Sequence, residues 1–285
     1  MKKGLTLKTS MIIEPISKLE CIKPYLLTGG TALSLQLDHR LSEDLDFMKW
    51  RTSRNEKMEV DWPVIKRELE QIGTVQHMDI LDFDHVEFIV DDVKLSFYAS
   101  PRKSPVWNPQ DYLNNIRLAD INAIMIMKLE VMLRRNKFRD YYDIYSILKN
   151  SPINIHDAIK EAVKHSNYVL KSLNLMRILT NPDRFKIDSN FRLLHPKYDV
   201  SNKDIAEYIR IKFNEANKTW LYGKPERMFI KTMINGVEQM GKLLKEQDIH
   251  DYENQVQSLE SLRMKYFEEE LKDISNLSHT SCRKL

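Results

Sequence analysis

The chain has 285 residues, 42% hydrophobic and 30% charged, and a formal net charge of +3. That balance excludes a disordered chain and predicts a soluble globular protein of about two domains. The mild positive excess permits a polyanionic partner without requiring one.

In chain order, Met11 to Cys21 places Ile12, Ile13, Ile16 and Leu19 at roughly helical spacing, with Pro15 inside. Pro24 precedes Tyr25-Leu26-Leu27, a short buried strand ended by Gly29-Gly30. Thr31 is predicted to cap a helix carrying Ala32, Leu33, Leu35 and Leu37. Asp44-Leu45-Asp46-Phe47 alternates as a half-buried strand does. Arg51 to Lys57 reads as a loop and Trp62 to Ile72 as a helix. Strands follow at Val75 to Leu81, Val86 to Val90 and Val93 to Tyr98, the last two joined by the Asp91-Asp92 turn signal. Pro101, Pro105 and Pro109 mark a loop.

Asp120 opens DINAIMIMKLEVMLRR, apolar nearly all round and so predicted to be buried. Asn136-Lys137-Phe138 breaks it, and a helix runs from Arg139 to Leu148. Beyond Ser151 the patterns are helical: Asp157 to Leu179, Lys203 to Asn217, Pro225 to Leu244 and Tyr252 to Ile274, with fraying from Asn276. The fold class is therefore α+β, with an α+β domain over residues 1–150 and an all-helical bundle over residues 151–285.

The two cysteines, Cys21 and Cys282, form no CxxC or Cys/His pattern, which argues against a disulfide scaffold or zinc site. No apolar run approaches the roughly 18 residues of a membrane span. The N-terminal stretch has two lysines but no signal-type apolar region. The expected location is cytoplasmic, with no membrane partner.

The chemistry concentrates between Leu26 and Phe47. A Gly-Gly turn between strand and helix lets backbone N–H groups approach a phosphate, and the helix dipole favours the anion. A plain strand-to-helix turn would also account for the glycines. Asp44 and Asp46, two apart on a strand, point to one face. Their mutual repulsion is relieved by a cation such as Mg²⁺, although a solvated strand face can also carry such a pair. Lys128 lies at helical spacing with Ile121, Ile124, Met125 and Met132. A cation on that apolar stripe either snorkels or meets an anion. Arg40 can reach a phosphate or pair with Glu43 or Asp44. Arg134, Arg135, Lys137 and Arg139 form either a solvated helix end or a contact for triphosphate or nucleic acid.

Gly29-Gly30-Thr31, a spacer of twelve residues, then Asp44-Leu45-Asp46-Phe47 resembles the hG[GS]…DhDh signature of DNA polymerase β-like nucleotidyltransferases. GGTALSLQLDHRLSEDLDF is similar to the motif of the AbiEii/AbiGii toxin family, matching at Gly29 to Leu33, His39, Arg40, Ser42 and Asp44 to Phe47. Lys128 followed by Arg139-Asp140-Tyr141-Tyr142-Asp143-Ile144 fits the family's downstream helix and R-D-x-x-D-[IL] segment.

The resemblance implies a polymerase β-like domain, a mixed sheet flanked by helices. It implies transfer of a nucleoside monophosphate from an NTP to an acceptor hydroxyl, with Mg²⁺ or Mn²⁺ on Asp44 and Asp46. Gly29, Gly30, Thr31, Arg40, Ser42 and Lys128 would bind nucleotide. Lys128 and Asp143 would join the two acids in catalysis, with Asp140 as a further candidate. The acceptor would be tRNA, another RNA, or a small-molecule or protein hydroxyl. The setting would be a toxin–antitoxin or phage-defence pair, with a cognate antitoxin as partner. The superfamily's third acid is expected on the strand Val93 to Tyr98, where Ser96 stands instead; Glu87, Asp91 and Asp92 are nearby in sequence. Ser96 favours the alternative of a degenerate enzyme kept as a nucleotide- or RNA-binding module.

Overall fold

The computed structural model describes residues 3–187, 190–223, 229–230, 233–234, 237–238, 242–253 and 256–268. By contacts the chain divides into two compact units, Met1–Phe213 and Asn214–Leu285. The boundary expected at residue 150 falls inside the first.

In the first unit a helix α1 (Leu7–Ser17), holding Pro15, leads to strand β1 (Leu26–Thr28), helix α2 (Gly29–Leu37) and strand β2 (Leu45–Trp50). Helix α3 (Trp62–Leu69) precedes strands β3 (Val75–Asp82), β4 (His85–Val90) and β5 (Val93–Ser100). A second hairpin, β6 (Gln110–Leu113) and β7 (Ile116–Leu118), follows the proline-marked loop, in a stretch for which no element was expected. The seven strands form one mixed sheet in the order β3-β4-β5-β2-β1-β7-β6. β1 runs antiparallel to β2 and parallel to β7, and β2 runs parallel to β5.

Alternation along the strands sorts the two faces. Leu45 and Phe47 of β2, Val86 and Phe88 of β4, and Leu95 and Phe97 of β5 are fully buried. Phe97 stacks on Phe47 and meets Tyr25 and Phe88 edge-on, at centroid distances of 5.1, 5.3 and 5.9 Å. Such offset and edge contacts add to area burial. Asp46, Met48, Glu87, Lys94, Ser96 and Tyr98 take the other face. The tight β4–β5 turn puts Asp91 and Asp92 in the left-handed region, at φ 46° and 63°, as a two-residue hairpin with a primed turn requires.

Helices α4 (Ile121–Val131) and α5 (Phe138–Asn150) follow. Asp120 caps α4 by accepting from Ala123 N–H at 2.9 Å. α4 packs against α2, α5 and α6 (Ile155–His165). α7 (Ser172–Leu179) is separate from α6, so the single helix expected over Asp157 to Leu179 is two. Asn167 and Tyr168, at φ 53° and 63°, turn the chain between them.

Helix α8 (Asn202–Gly223) runs from the first unit into the second. In the second unit, strands β8 (Phe229–Ile230), β9 (Met233–Ile234), β10 (Val237–Glu238) and β11 (Lys242–Leu243) pair as β9–β10 and β8–β11. These pairs correct both the helix expected over Pro225 to Leu244 and the all-helical reading of residues 151–285. In the described part of the helix expected over Tyr252 to Ile274 stand the end of α9 (Glu246–Glu253) and α10 (Leu259–Tyr266), and residues 269–274 lie outside the described residues. The stretch from Asn276 lies outside the described residues. Leu244, Leu262 and Phe267 form this unit's small core.

Candidate functional site

The polar face of the sheet, the start of α2 and the end of α4 enclose a cavity of about 540 Å³. β-sheet register sets its floor. Thr28 lies opposite Asp46, Asp46 opposite Ser96, and Ser96 opposite Glu87. Directly opposed residues share a face, so one row of polar side chains crosses β1, β2, β5 and β4. Asp44 sits just before β2 and also lines the cavity. The Asp46 carboxyl is pushed above its ordinary range by burial and by the neighbouring charge of Asp44.

Each glycine has its own steric reason. Gly29 has φ +66°, and a Cβ there would overlap Asp46 Oδ2. A Cβ on Gly30 would overlap the Arg40 guanidinium. The turn is thus shaped around the Asp46 carboxylate and around the Arg40 guanidinium. Gly29→Ala is expected to lower stability by about 1–2 kcal/mol from its left-handed backbone alone, and to displace Asp46 as well. Urea denaturation checks the first effect; an unchanged midpoint would contradict the strain.

Thr28, not Thr31, caps α2, and its side chain makes no capping hydrogen bond. Its hydroxyl donates to the Asp46 carbonyl at 3.1 Å. The first-turn N–H groups of α2 are therefore not occupied by a capping side chain. Thr31 is buried away from the cavity wall. Its hydroxyl bonds to the Asp44 carbonyl and to Ser42 Oγ. Its observed contacts hold the Ser42–Asp44 loop, and Thr31 itself does not line the cavity. Ser42 does line the cavity, although it is 6% exposed.

Behind this floor lies a buried charge network. Arg40 forks onto Asp143, Nε to Oδ1 at 2.7 Å and Nη2 to Oδ2 at 3.0 Å, and pairs with neither Glu43 nor Asp44. Lys128 Nζ lies 2.7 Å from both Asp140 Oδ1 and Asp143 Oδ2. His39 Nε2 contacts Asp143 Oδ1 at 2.8 Å. Burial lowers the His39 pKa, and against the Asp143 carboxylate Nε2–H is the donor. Burial opposes the Asp143 charge, yet Arg40, Lys128 and His39 outweigh it and hold the carboxyl well below its usual range. Burial also disfavours charged Lys128, but Asp143 and Asp140 raise its pKa. The network sets two cations against two carboxylates. Asp140 and Lys128 reach the cavity wall, whereas Asp143 is fully buried behind it. Asp140 Oδ2 has no hydrogen-bond partner among the described residues.

Arg134, Arg135, Lys137 and Arg139 all line the cavity. So do His85, Glu87, Lys94, Tyr98, Arg102 and His165, most of which composition did not single out. The period-2 alternation of β4 and β5 was the signal available for four of them. His165 joins the wall by bonding Glu130 Oε1 at 2.9 Å and the Lys103 carbonyl at 2.8 Å. The bond to Glu130 raises its pKa.

Among the described residues no cluster of three or more His, Cys, Asp or Glu side chains is disposed to hold a metal ion. The pair Asp44 and Asp46 offers oxygen donors only, which is the chemistry Mg²⁺ takes when substrate phosphates and waters fill its remaining positions. Among the same residues no helix is long and apolar enough to cross a membrane.

An uncharacterized protein of Aquifex aeolicus (strain VF5), aq_aa25, is 26% identical over 140 residues, 48% of this chain and 64% of that protein. The match thus spans under two thirds of that relative's length. JHP933 from Helicobacter pylori is similar in structure, with 19% identity and a TM-score of 0.46 over 78% of this chain and 97% of that one. A structure titled as a putative nucleotidyltransferase from H. pylori gives 19% identity and a TM-score of 0.46 over 79% and 100%. The family model described as nucleotidyl transferase AbiEii toxin, type IV TA system, matches residues 15–225, which contain every residue of the cavity, and the chain belongs to that family.

Proposed function

We propose that this chain moves a nucleoside monophosphate from an NTP to an acceptor hydroxyl and releases pyrophosphate. The observation that carries this reading is one cavity bordered by the Gly29-Gly30 turn, by Asp44 and Asp46, and by Lys128. Its volume suits a small-molecule ligand.

Asp44 and Asp46 would hold Mg²⁺ or Mn²⁺, since a cation offsets both the burial and the Asp44 charge that raise the Asp46 pKa. When bound, the ion supplies charge neutralisation and polarisation of phosphoryl oxygens. The backbone of Gly29 and Gly30 and the N-terminus of α2 receive phosphate oxygens. Ser42 offers a hydroxyl at the same wall. Lys128 meets the triphosphate from the α4 side, with Asp140 and Asp143 setting its position. Arg40, which also lines the cavity beside Gly30, fixes the loop that carries Asp44. Asp143 is in this reading a positioning residue, and Asp140 the acid of that helix that faces substrate.

The basic rim of Arg134, Arg135, Lys137 and Arg139 suits a polyanionic acceptor such as tRNA or another RNA. The family's type IV toxin–antitoxin description supports a cognate antitoxin as partner. Ser96 in the floor supports a second reading, a nucleotide-binding module without transfer. Incubation with each labelled NTP, Mg²⁺ and total RNA or protein separates the two. Label on an acceptor, lost in Asp44→Ala/Asp46→Ala, is the expected result. NTP binding with no transfer to any acceptor would favour the binding module.

A further inference from the structure

Nucleotidyl transfer needs a group that accepts the proton of the attacking hydroxyl. In the floor row Ser96 occupies the place beside Asp46, and serine at its ordinary pKa is no base. The next strand supplies one. His85 Nε2 lies 3.2 Å from Ser96 Oγ and 3.5 Å from Glu87 Oε1. Lys94 Nζ holds that same Glu87 oxygen at 2.7 Å. All four side chains line the cavity that contains Asp44 and Asp46. Adjacent strands lie about 4.8 Å apart, so Ser96 bridges the distance between Asp46 and His85.

We propose that Ser96 and His85 together take the acceptor's proton, an assignment that rests on the nucleotidyl-transfer reading above. The acceptor oxygen forms its bond to the α-phosphorus as the bond from that phosphorus to the bridging oxygen breaks. Pyrophosphate leaves with the electron pair. The acceptor's proton passes to Ser96 Oγ while the Ser96 hydroxyl proton passes to His85 Nε2. Glu87 faces the imidazolium charge that develops, and Lys94 keeps Glu87 in position. The relay requires the neutral tautomer with its proton on Nδ1, so that Nε2 accepts from Ser96.

The bland alternative is a polar cluster on a strand face. Against it stands the shared row: the register that aligns Asp46 with Ser96 also aligns Ser96 with Glu87. The groups around His85 are Glu87 on its own strand, Ser96, Tyr98 and Lys94 from β5, and Asp82, its register partner on β3. Asp84 precedes it in sequence, and the Tyr98 ring meets its imidazole edge-on at 5.7 Å. Arg102 and Arg134 bear on Tyr98 from the cavity wall.

The test measures label transfer by the full chain against pH, with His85→Gln and Ser96→Ala beside wild type. The His85 side chain is 32% exposed, so His85→Gln should fold, which thermal melting checks. His85→Gln is expected to lower kcat by about 100-fold or more, to leave the KM for NTP unchanged, and to remove the acidic limb of the pH profile. Ser96→Ala is expected to lower kcat with the same unchanged KM. A wild-type kcat in either variant overturns the relay. So does a fall in kcat that leaves the acidic limb in place, which marks a structural role. A wild type that binds NTP but transfers nothing overturns the proposed function itself, and the relay with it.

Discussion

Asp143→Ala is expected to cost about 3–5 kcal/mol of stability, because breaking a buried ion pair from one side leaves uncompensated charge in the interior. The variant would keep Arg40 and Lys128 facing Asp140 alone. Arg40 is 5% exposed and Lys128 9%, so neither cation can turn fully to water. Urea denaturation reads the loss, and a shift under about 1 kcal/mol would contradict the network's role. Arg40→Met with Asp143→Leu should lose less than the two single losses added, since both partners leave together and Lys128 keeps Asp140. The pH dependence has a definite sign. The Asp143 carboxyl is held well below its ordinary range in the fold. Its contribution is therefore complete above the unfolded value near 3.9, and is withdrawn as pH falls through the folded value. The gap between wild type and variant should be flat from about pH 5 to 8 and should shrink only below about pH 4.

The Asp143 network shows where sequence reading stops. One motif match covered His39 and Arg40 and a second covered Lys128, Asp140 and Asp143, but a motif carries no depth and neither match joined the two groups. Arg40 and Asp143 are 103 residues apart, and only packing of α2 on α5 reveals that they pair with each other. The Asp44 and Asp46 pair was visible from its two-residue spacing, although Asp44 stands just before β2 and not on it. Gly29 was legible for the turn but not for its contact with Asp46, which depends on the pairing of β1 with β2. Ser96 was placed correctly on the strand beside the acids. Its link to His85 needed the β4–β5 register, although β4 and β5 had both been read as strands.

The fold divides in the same way. The sheet strands with strong alternation were visible, whereas β6 and β7, of four and three residues, are too short to show a period. Asn114-Asn115 between them, with Asn114 at φ 45°, is the turn signal of that hairpin. The helix expected over Pro225 to Leu244 overlooked Asn235-Gly236, which lies in sequence between β9 and β10. Asn-Gly between apolar pairs is a strong short-range hairpin signal and outweighs helical spacing.

Asp46→Asn should behave in the opposite way to Asp143→Ala. The Asp46 carboxyl is pushed up by burial and by Asp44, so its ionised form is disfavoured in the fold. The sign follows directly. The destabilisation begins as pH rises past the unfolded value near 3.9 and is complete above the folded value. At pH 7 the asparagine variant should therefore be at least as stable as wild type, and the difference should vanish below about pH 4. Transfer should nevertheless fall by at least about 100-fold, the scale expected when one preorganised electrostatic partner of the reacting group is removed. Mg²⁺ supplies a readout independent of activity. A ligand that binds only the folded state raises the melting temperature, so added Mg²⁺ should stabilise wild type and leave Asp46→Asn unmoved. A variant less stable than wild type at pH 7, or equally stabilised by Mg²⁺, would mean that Asp46 serves the fold. Strain kept at Asp46, against stability invested at Asp143, is what a site that trades stability for activity should show.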